Sequence, residues 1–207
     1  MIKSNLYLKI FLFIKIFLIC LIIFSKSYAE NAGLKKNSIV VGPDNAVVKI
    51  KVFSSLTCSH CANFHINVVP KIRDKYVKSG KVQLIFIDFP LDQAAFNASK
   101  LLHCLDQKKQ ITFLDAIYEN QNKWTSGSEI EQINNNLKKM VKDLGISNIQ
   151  FDKCLNDDII GDKILNARID GQKKYSINAT PTIIINEKKF EDIANFKNIE
   201  KRIEKLI

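Results

Sequence analysis

The sequence predicts one α/β domain in which a block of helices interrupts a single sheet. Two strands and a helix followed by a third strand come first, and two strands followed by a helix come last. Between them lies a helical pattern at about 92–175. Neither half can bury a sheet alone, so we expect both halves to contribute to one sheet, in the order βαβ, helical insertion, ββα.

The first two predicted strands lie at 38–41 and 46–53. They are separated by a turn of Gly, Pro, Asp and Asn. In the second strand apolar residues alternate with Lys49 and Lys51, which predicts one buried face and one solvated face.

A long helix is predicted next, beginning near Cys58 and running to about 79. Pro70 is expected to kink it and Gly80 to end it. The run at 82–89 is apolar and β-branched apart from a glutamine and an aspartate, and it predicts a buried strand.

Changes in the spacing of apolar residues predict the helical insertion and the last elements. Apolar residues recur at helical spacing in four segments, at 94–105, 111–118, 130–144 and 159–175. A β-branched strand is then predicted at 182–185, with a turn, a partner strand starting at 189–190 and a closing helix at 198–206.

The composition is that of an ordinary globular protein. Of 207 residues, 46% are hydrophobic and 25% are charged, which excludes collagen-like, disordered and polytopic membrane proteins. The net charge is +10, but no basic run is interleaved with aromatic residues. We therefore expect no nucleic-acid partner and interpret the lysines as a solvated surface.

Residues 1–29 have the pattern of a cleaved signal peptide. The segment is basic at its start, is apolar at 10–24 except for Lys15, and ends in Ser-Tyr-Ala at 27–29. Cleavage after residue 29 would leave 30–207, with 27 basic and 21 acidic residues. An uncleaved anchor is the alternative, although the charge of Lys15 weakens a membrane span. Either interpretation predicts export, and we expect a bacterial periplasm.

Export changes the interpretation of the five cysteines. Cys20 lies in the signal segment, so four cysteines remain in an oxidising compartment, where pairs are expected. Two of them form the motif Cys58-Ser59-His60-Cys61 at a predicted strand-to-helix junction. There, unpaired N–H groups and the helix dipole stabilise a thiolate. Cys58 is the predicted exposed nucleophile and Cys61 the resolving thiol, and a protonated His60 would favour the Cys58 thiolate further.

Two other interpretations of this motif are less favoured. A zinc site needs two more ligands, yet His65 and His103 form no ligand pair with the remaining cysteines. A purely structural Cys58–Cys61 disulfide closes so short a loop that it would add little stability. Redox chemistry without a metal or another cofactor is therefore the favoured interpretation.

The sequence resembles the DsbA-like thiol:disulfide oxidoreductases of the thioredoxin superfamily. The resemblance rests on residues 53–64 around the two cysteines and on Ala-Thr-Pro-Thr at 179–182, and it covers essentially all of 30–207. It implies a thioredoxin-like fold and a cis bond before Pro181, which faces the cysteine pair. It also implies that the backbone of Thr180 binds a substrate strand.

The activity implied by the resemblance is oxidation of exported proteins. The oxidised enzyme accepts electrons from unfolded or folding proteins with free cysteines and is left reduced. A membrane quinone-linked reoxidase of the DsbB type would then restore it, and the enzyme is expected to act as a monomer. That a stabilised reduced form makes a strong oxidant is the known behaviour of DsbA itself.

Three departures from the family pattern keep other functions open. Ser59 replaces the proline of the best-known oxidases, and Val52 stands where many relatives have a buried acid. Thr180 also occurs before the cis-proline of isomerases and reductases, which makes a disulfide isomerase or reductase the main alternative. Dedicated isomerases, however, carry an N-terminal dimerisation domain. We expect none here, because the first predicted strand follows closely after residue 29. Outside this class, a peptide-binding module would not need its cysteines, and a periplasmic metal chaperone would hold copper or zinc between them.

Cys104 and Cys154 lie in the insertion, each among apolar neighbours. They could be two free buried thiols, which are common. The oxidising compartment favours a bond between them, and some DsbA-like proteins are similar in carrying a second, non-catalytic pair in this region. We therefore predict a structural disulfide.

Overall fold

The computed structural model describes Leu12, Lys15 and Phe17, which are helical, and residues 38–207. The remaining residues of the predicted signal segment 1–29, and its cleavage point, lie outside the described residues. Among the helices that are described, none is both long enough and apolar enough to cross a membrane.

A five-stranded mixed sheet forms the centre of the described unit. Its strands are β1 (Ile39–Val41), β2 (Val48–Ser54), β3 (Val82–Asp88), β4 (Thr182–Ile185) and β5 (Lys188–Lys189), in the spatial order β1-β3-β2-β4-β5. β2 pairs in parallel with β3 and antiparallel with β4, while β1 and β5 form the antiparallel edges. Because β4 follows the insertion and pairs with β2, the predicted single sheet is confirmed.

The helices of residues 38–207 are α1 (Ser59–Asn67), α2 (Val69–Ile72), α3 (Gln93–Cys104), α4 (Gln107–Glu119), α5 (Gln121–Trp124), α6 (Ile130–Asp143), α7 (Asn148–Leu155), α8 (Asp158–Tyr175) and α9 (Phe196–Glu204). Those from α3 to α8 make up the insertion. Two of them, α5 and α7, are absent from the sequence prediction. They have only four and eight residues, too few for a helical period to be recognised.

The long helix predicted from Cys58 to about residue 79 is divided. α1 ends at Asn67, Pro70 lies in the first turn of α2, and Arg73–Val77 is π-helical. A proline fits the first turn of a helix, where its missing N–H has no partner to lose, so the break precedes Pro70. Gly80 follows with φ of +75°, the left-handed conformation that glycine adopts without strain.

The central strand β2 is covered on both faces. Its apolar residues Val48, Ile50 and Val52 are almost completely buried, and so is Phe53. α8 approaches the ring of Phe53 so closely that a Cβ on Gly171 would overlap it. The glycine therefore allows the helix to lie directly over the end of the strand that leads to the cysteines.

Lys51 corrects the prediction that the second face of β2 is solvated. Its side chain is buried, and its Nζ donates to the Tyr175 hydroxyl at 2.8 Å and to the Glu187 carboxylate at 2.5 Å. Lys100 is also buried, with its Nζ 2.8 Å from the carbonyl of Leu155. Alternation along a strand shows which residues share a face, but it does not show whether another element covers that face.

Candidate active site

The two cysteines of the Cys-x-x-Cys motif lie where β2 meets α1. β2 ends at Ser54, and the loop of residues 55–58, here called the nucleophile loop, leads into the helix. Cys58 is the N-cap residue of α1, and its Sγ accepts the backbone N–H of Cys61 at 3.3 Å. The sulfur thus occupies the place of a capping oxygen, where a helix presents unpaired N–H groups.

Cys58 is half-buried, and the pKa of its thiol is lowered from 9.0 to about 5. The largest cause is a hydrogen bond from the Cys61 thiol, which outweighs the opposing effect of partial burial. Thr180 and the backbone N–H groups of Cys61 and His60 also favour the anion. Near neutral pH this sulfur is therefore a thiolate when the pair is reduced.

The pKa of the Cys61 thiol shifts in the opposite direction. Its side chain is only 2% exposed, and burial raises the pKa of its thiol, with the hydrogen bond to Cys58 acting in the same direction. When both thiols are reduced, the proton of the pair therefore stays on Cys61 and the negative charge on Cys58. Val52 is buried six residues before Cys58, so the position where relatives have an acid carries no ionisable group here.

The Thr180–Pro181 bond is cis, and it lies against the cysteine pair. The backbone carbonyl oxygen of Thr180 lies 3.4 Å from Cys58 Sγ and accepts a hydrogen bond from this sulfur when it is protonated. Ser59 and His60, the two residues between the cysteines, are exposed in the first turn of α1. The structure thus brings Cys58, Cys61 and Thr180 together and leaves Ser59 and His60 facing solvent.

Side chains from the insertion hold the nucleophile loop, and the sequence analysis missed them. Gln121 donates to the carbonyls of Leu56 at 2.8 Å and Cys58 at 3.1 Å, and Thr57 donates to Asp92 at 2.6 Å. Gln121 begins a short helix 63 residues after Cys58, so no local pattern marks it.

Asp88 forms a second buried group at this end of the sheet. Its carboxylate accepts from Ser99 at 2.6 Å and lies 2.5 Å from His103 Nε2. The hydroxyl of Tyr118 is fully buried nearby. Burial raises the pKa of this hydroxyl, and the neighbouring Asp88 carboxylate acts in the same direction. An aspartate at the end of a mostly apolar strand was a signal that the sequence did contain.

The two histidines weighed as zinc ligands each pair with a carboxylate. His103 lies against Asp88, and His65 Nε2 lies 2.7 Å from Asp115, which also accepts from Arg73 at 3.0 Å. Within the described part of the chain, no group of three or more His, Cys, Asp or Glu residues is arranged to hold a metal ion.

Cys104 and Cys154 are joined by a disulfide, with Cα atoms 5.8 Å apart. The bond connects the end of α3 to α7 and spans 50 residues of sequence. Both bonded residues lie in the insertion. Cys58 and Cys61, in contrast, are free thiols in this structure. The pairing is the one that the sequence analysis predicted.

Comparison with known proteins agrees with this geometry. The thioredoxin family profile matches residues 34–205. The crystal structure of alpha-DsbA1 from Wolbachia pipientis has a TM-score of 0.73 and 31% identity, covering 82% of this chain and 90% of that one. Disulfide bond formation protein D of Bacillus subtilis is 24% identical over 178 residues, which is 82% of this chain and 77% of that protein.

A relative in Rickettsia bellii carries the provisional name protein-disulfide oxidoreductase. It is 24% identical over 187 residues, covering 88% of this chain and 69% of that protein. The fold and these relatives together define an enzyme that exchanges thiols and disulfides in proteins. The chain belongs to the thioredoxin family and is a protein-disulfide oxidoreductase of the DsbA type.

Proposed function

We propose that this enzyme introduces disulfide bonds into exported proteins in the bacterial periplasm by exchange through Cys58 and Cys61. The observation that carries the proposal is the contrast between the two sulfurs. Cys58 is accessible and has a pKa lowered to about 5, whereas Cys61 is buried with a raised pKa. The signal pattern at 1–29 supports export, and the oxidising compartment would keep the pair ready to accept electrons.

The exchange has two steps. A thiolate of the substrate attacks Cys58 Sγ of the oxidised pair, so a bond between substrate and Cys58 forms, the Cys58–Cys61 bond breaks, and Cys61 leaves and takes up a proton. The second substrate thiolate then attacks the substrate sulfur of this mixed disulfide and expels Cys58 as a thiolate. The substrate gains a disulfide, and the enzyme retains two electrons.

The low pKa of Cys58 favours the second step and the overall direction. A thiol of low pKa leaves faster, and stabilisation of the thiolate stabilises the reduced enzyme, which makes the oxidised enzyme the stronger oxidant. The free energy of each pKa unit is about 1.4 kcal/mol at a pH above the pKa. A membrane quinone-linked partner of the DsbB type would reoxidise the pair.

A reduced, unfolded protein with two cysteines tests the proposal directly. The oxidised enzyme should convert its thiols to a disulfide stoichiometrically, and Cys58→Ser should abolish the conversion. The double variant Cys104→Ala/Cys154→Ala is the control, because it removes two cysteines but retains the exchanging pair. Full activity of Cys58→Ser would contradict the proposal, and faster repair of scrambled disulfides than net oxidation would favour the isomerase alternative.

A further inference from the structure

We infer that Gln121 is a positioning residue that sets the thiolate character of Cys58 from within the helical insertion. The inference rests on the proposed role of Cys58 and extends it to a residue that does not touch the sulfur. It is carried by two hydrogen bonds from one buried amide to the nucleophile loop.

The first step concerns the backbone carbonyl of Cys58 itself. It accepts from Gln121 Nε2 at 3.1 Å and also from the backbone N–H of Ala62 at 3.0 Å, the bond that begins α1. The direction of this carbonyl fixes ψ of Cys58, which is 118°. That angle and φ place Sγ where it accepts the Cys61 N–H. Loss of the Gln121 bond leaves the carbonyl fixed by the helix alone.

The second step concerns the approach to Cys58. The same Gln121 nitrogen donates to the carbonyl of Leu56 at 2.8 Å, two residues before the nucleophile. One rigid amide thus holds both sides of Thr57, whose hydroxyl is bound by Asp92. The nucleophile loop cannot move away from the first turn of α1 without breaking these bonds.

The third step is electrostatic. Carbonyl oxygens carry partial negative charge, and the one belonging to Cys58 lies on the residue that bears the thiolate. The two N–H groups of Gln121 place partial positive charge against the carbonyls of Leu56 and Cys58, and this favours the anion. Gln121 is only 6% exposed, so water cannot readily replace it as a donor.

The test measures the pKa of Cys58 by the ultraviolet absorbance of the thiolate, and the redox equilibrium of the full chain with glutathione. Gln121→Met keeps the length and apolar volume but removes both donors. We expect the pKa to rise by about half a unit to one unit, which corresponds to one neutral hydrogen bond. The equilibrium should shift about three- to tenfold toward the oxidised protein.

Gln110→Met is the matched control. Gln110 is a buried glutamine of α4, and it donates to one backbone carbonyl, that of Leu105, at 3.2 Å. Its replacement should lower the melting temperature without moving the pKa of Cys58 or the glutathione equilibrium. A merely structural role for Gln121 predicts that the two variants behave alike.

A second variant, Gln121→Leu, protects the test against a failure of Gln121→Met to fold. Leucine also removes both donors and adds no charge, so it should raise the pKa of Cys58 by a similar amount. A folded Gln121 variant with wild-type pKa and equilibrium would overturn the inference while leaving the proposed function intact. If wild-type Cys58 itself titrates near 9.0, or Cys58→Ser stays active, the proposed function fails instead.

Discussion

At the scale of single residues, two cysteines three positions apart acquire opposite ionisation behaviour. Cys58 takes the capping position of α1, where backbone N–H groups face its sulfur, and Cys61 lies one turn inward in the core. The reduced form of the pair is therefore charged at the surface and neutral inside. Because Cys58 holds the negative charge, Cys61 remains a neutral thiol, and no charge is buried in the core.

This asymmetry predicts how the stability of the reduced protein depends on pH. The folded pKa of Cys58, about 5, is depressed below the ordinary 9.0, so its thiolate contributes stability above about pH 9. That contribution falls as the pH decreases toward 5 and is absent below it. As the pH falls from 9 to 5, the unfolding free energy of the reduced wild-type protein should therefore decrease relative to that of reduced Cys58→Ser. The decrease should be at most about 1.4 kcal/mol per pH unit.

The measurement is denaturant unfolding of both reduced proteins at several values between pH 5 and 9, which are the limits set by the two pKa values. Burial, the largest cause of the raised pKa of Cys61, is present in both proteins, so Cys61 should stay protonated in the folded state over this range. Solvent screening at the half-buried sulfur will make the total smaller than the full shift implies. A difference that does not change with pH would mean that Cys58 is not a stabilised thiolate.

At the scale of elements, a partly buried ion pair links β2, α8 and the turn between β4 and β5. Lys51 in β2 meets the Tyr175 hydroxyl at the end of α8 and the carboxylate of Glu187 in the turn. Burial lowers the pKa of Lys51. Burial opposes the shift at Glu187, yet hydrogen bonds from Lys51 and Tyr175 lower the pKa of that carboxyl to about 2.

We expect Glu187→Gln to reduce the unfolding free energy by about 1–3 kcal/mol at neutral pH, because it leaves a buried ammonium without its counter-charge. This expected loss of unfolding free energy is smaller than for a fully buried pair, because the Glu187 side chain is 49% exposed. Adding Lys51→Met to Glu187→Gln should restore part of the loss, since the buried charge of Lys51 is then gone, while Lys174 still lacks the carboxylate that lies 3.1 Å from it in the wild type. Urea denaturation of the two single variants and the double variant measures this coupling.

The exposed pair of Lys78 and Asp74 is the control for this cycle. Its side chains are 75% and 68% exposed at an i,i+4 spacing, so Asp74→Asn should leave the unfolding free energy almost unchanged. The contribution of Glu187 should also disappear as the pH falls from 4.5 through about 2. Equal losses in the two pairs would show that burial of Lys51 adds nothing.

At the scale of the whole molecule, the sequence was sufficient for what is encoded locally. The Cys58–Cys61 spacing, the strand pattern of β2 and the cis bond at Pro181, which was implied by the resemblance, all correspond to short segments. Gln121 was missed because its partners, Leu56 and Cys58, are 65 and 63 residues away. The sequence analysis placed Lys51 in solvent because its partners, Tyr175 and Glu187, lie more than a hundred residues later in the chain.

The Cys104–Cys154 disulfide gives the last prediction, because it ties together two helices of that same insertion. Closing a loop of 50 residues restricts the unfolded chain, which in the chain-entropy model stabilises the fold by about 4 kcal/mol. Cys104→Ala/Cys154→Ala should therefore lower the unfolding free energy by up to this amount. The low pKa of Cys58 stabilises the reduced form of the Cys58–Cys61 pair, so reductants should open that bond before the Cys104–Cys154 bond.

Thiol counting on protein unfolded after mild reduction separates the two bonds. Two free thiols, mapped by mass spectrometry to Cys58 and Cys61, are expected, and strong reduction in denaturant should release two more. The single variant Cys104→Ala controls for the loss of a side chain, because it also breaks the bond and should destabilise the protein about as much as the double variant. Four free thiols under mild reduction would mean that the second bond is as labile as the first, and the insertion would then lose its cross-link whenever the enzyme is reduced.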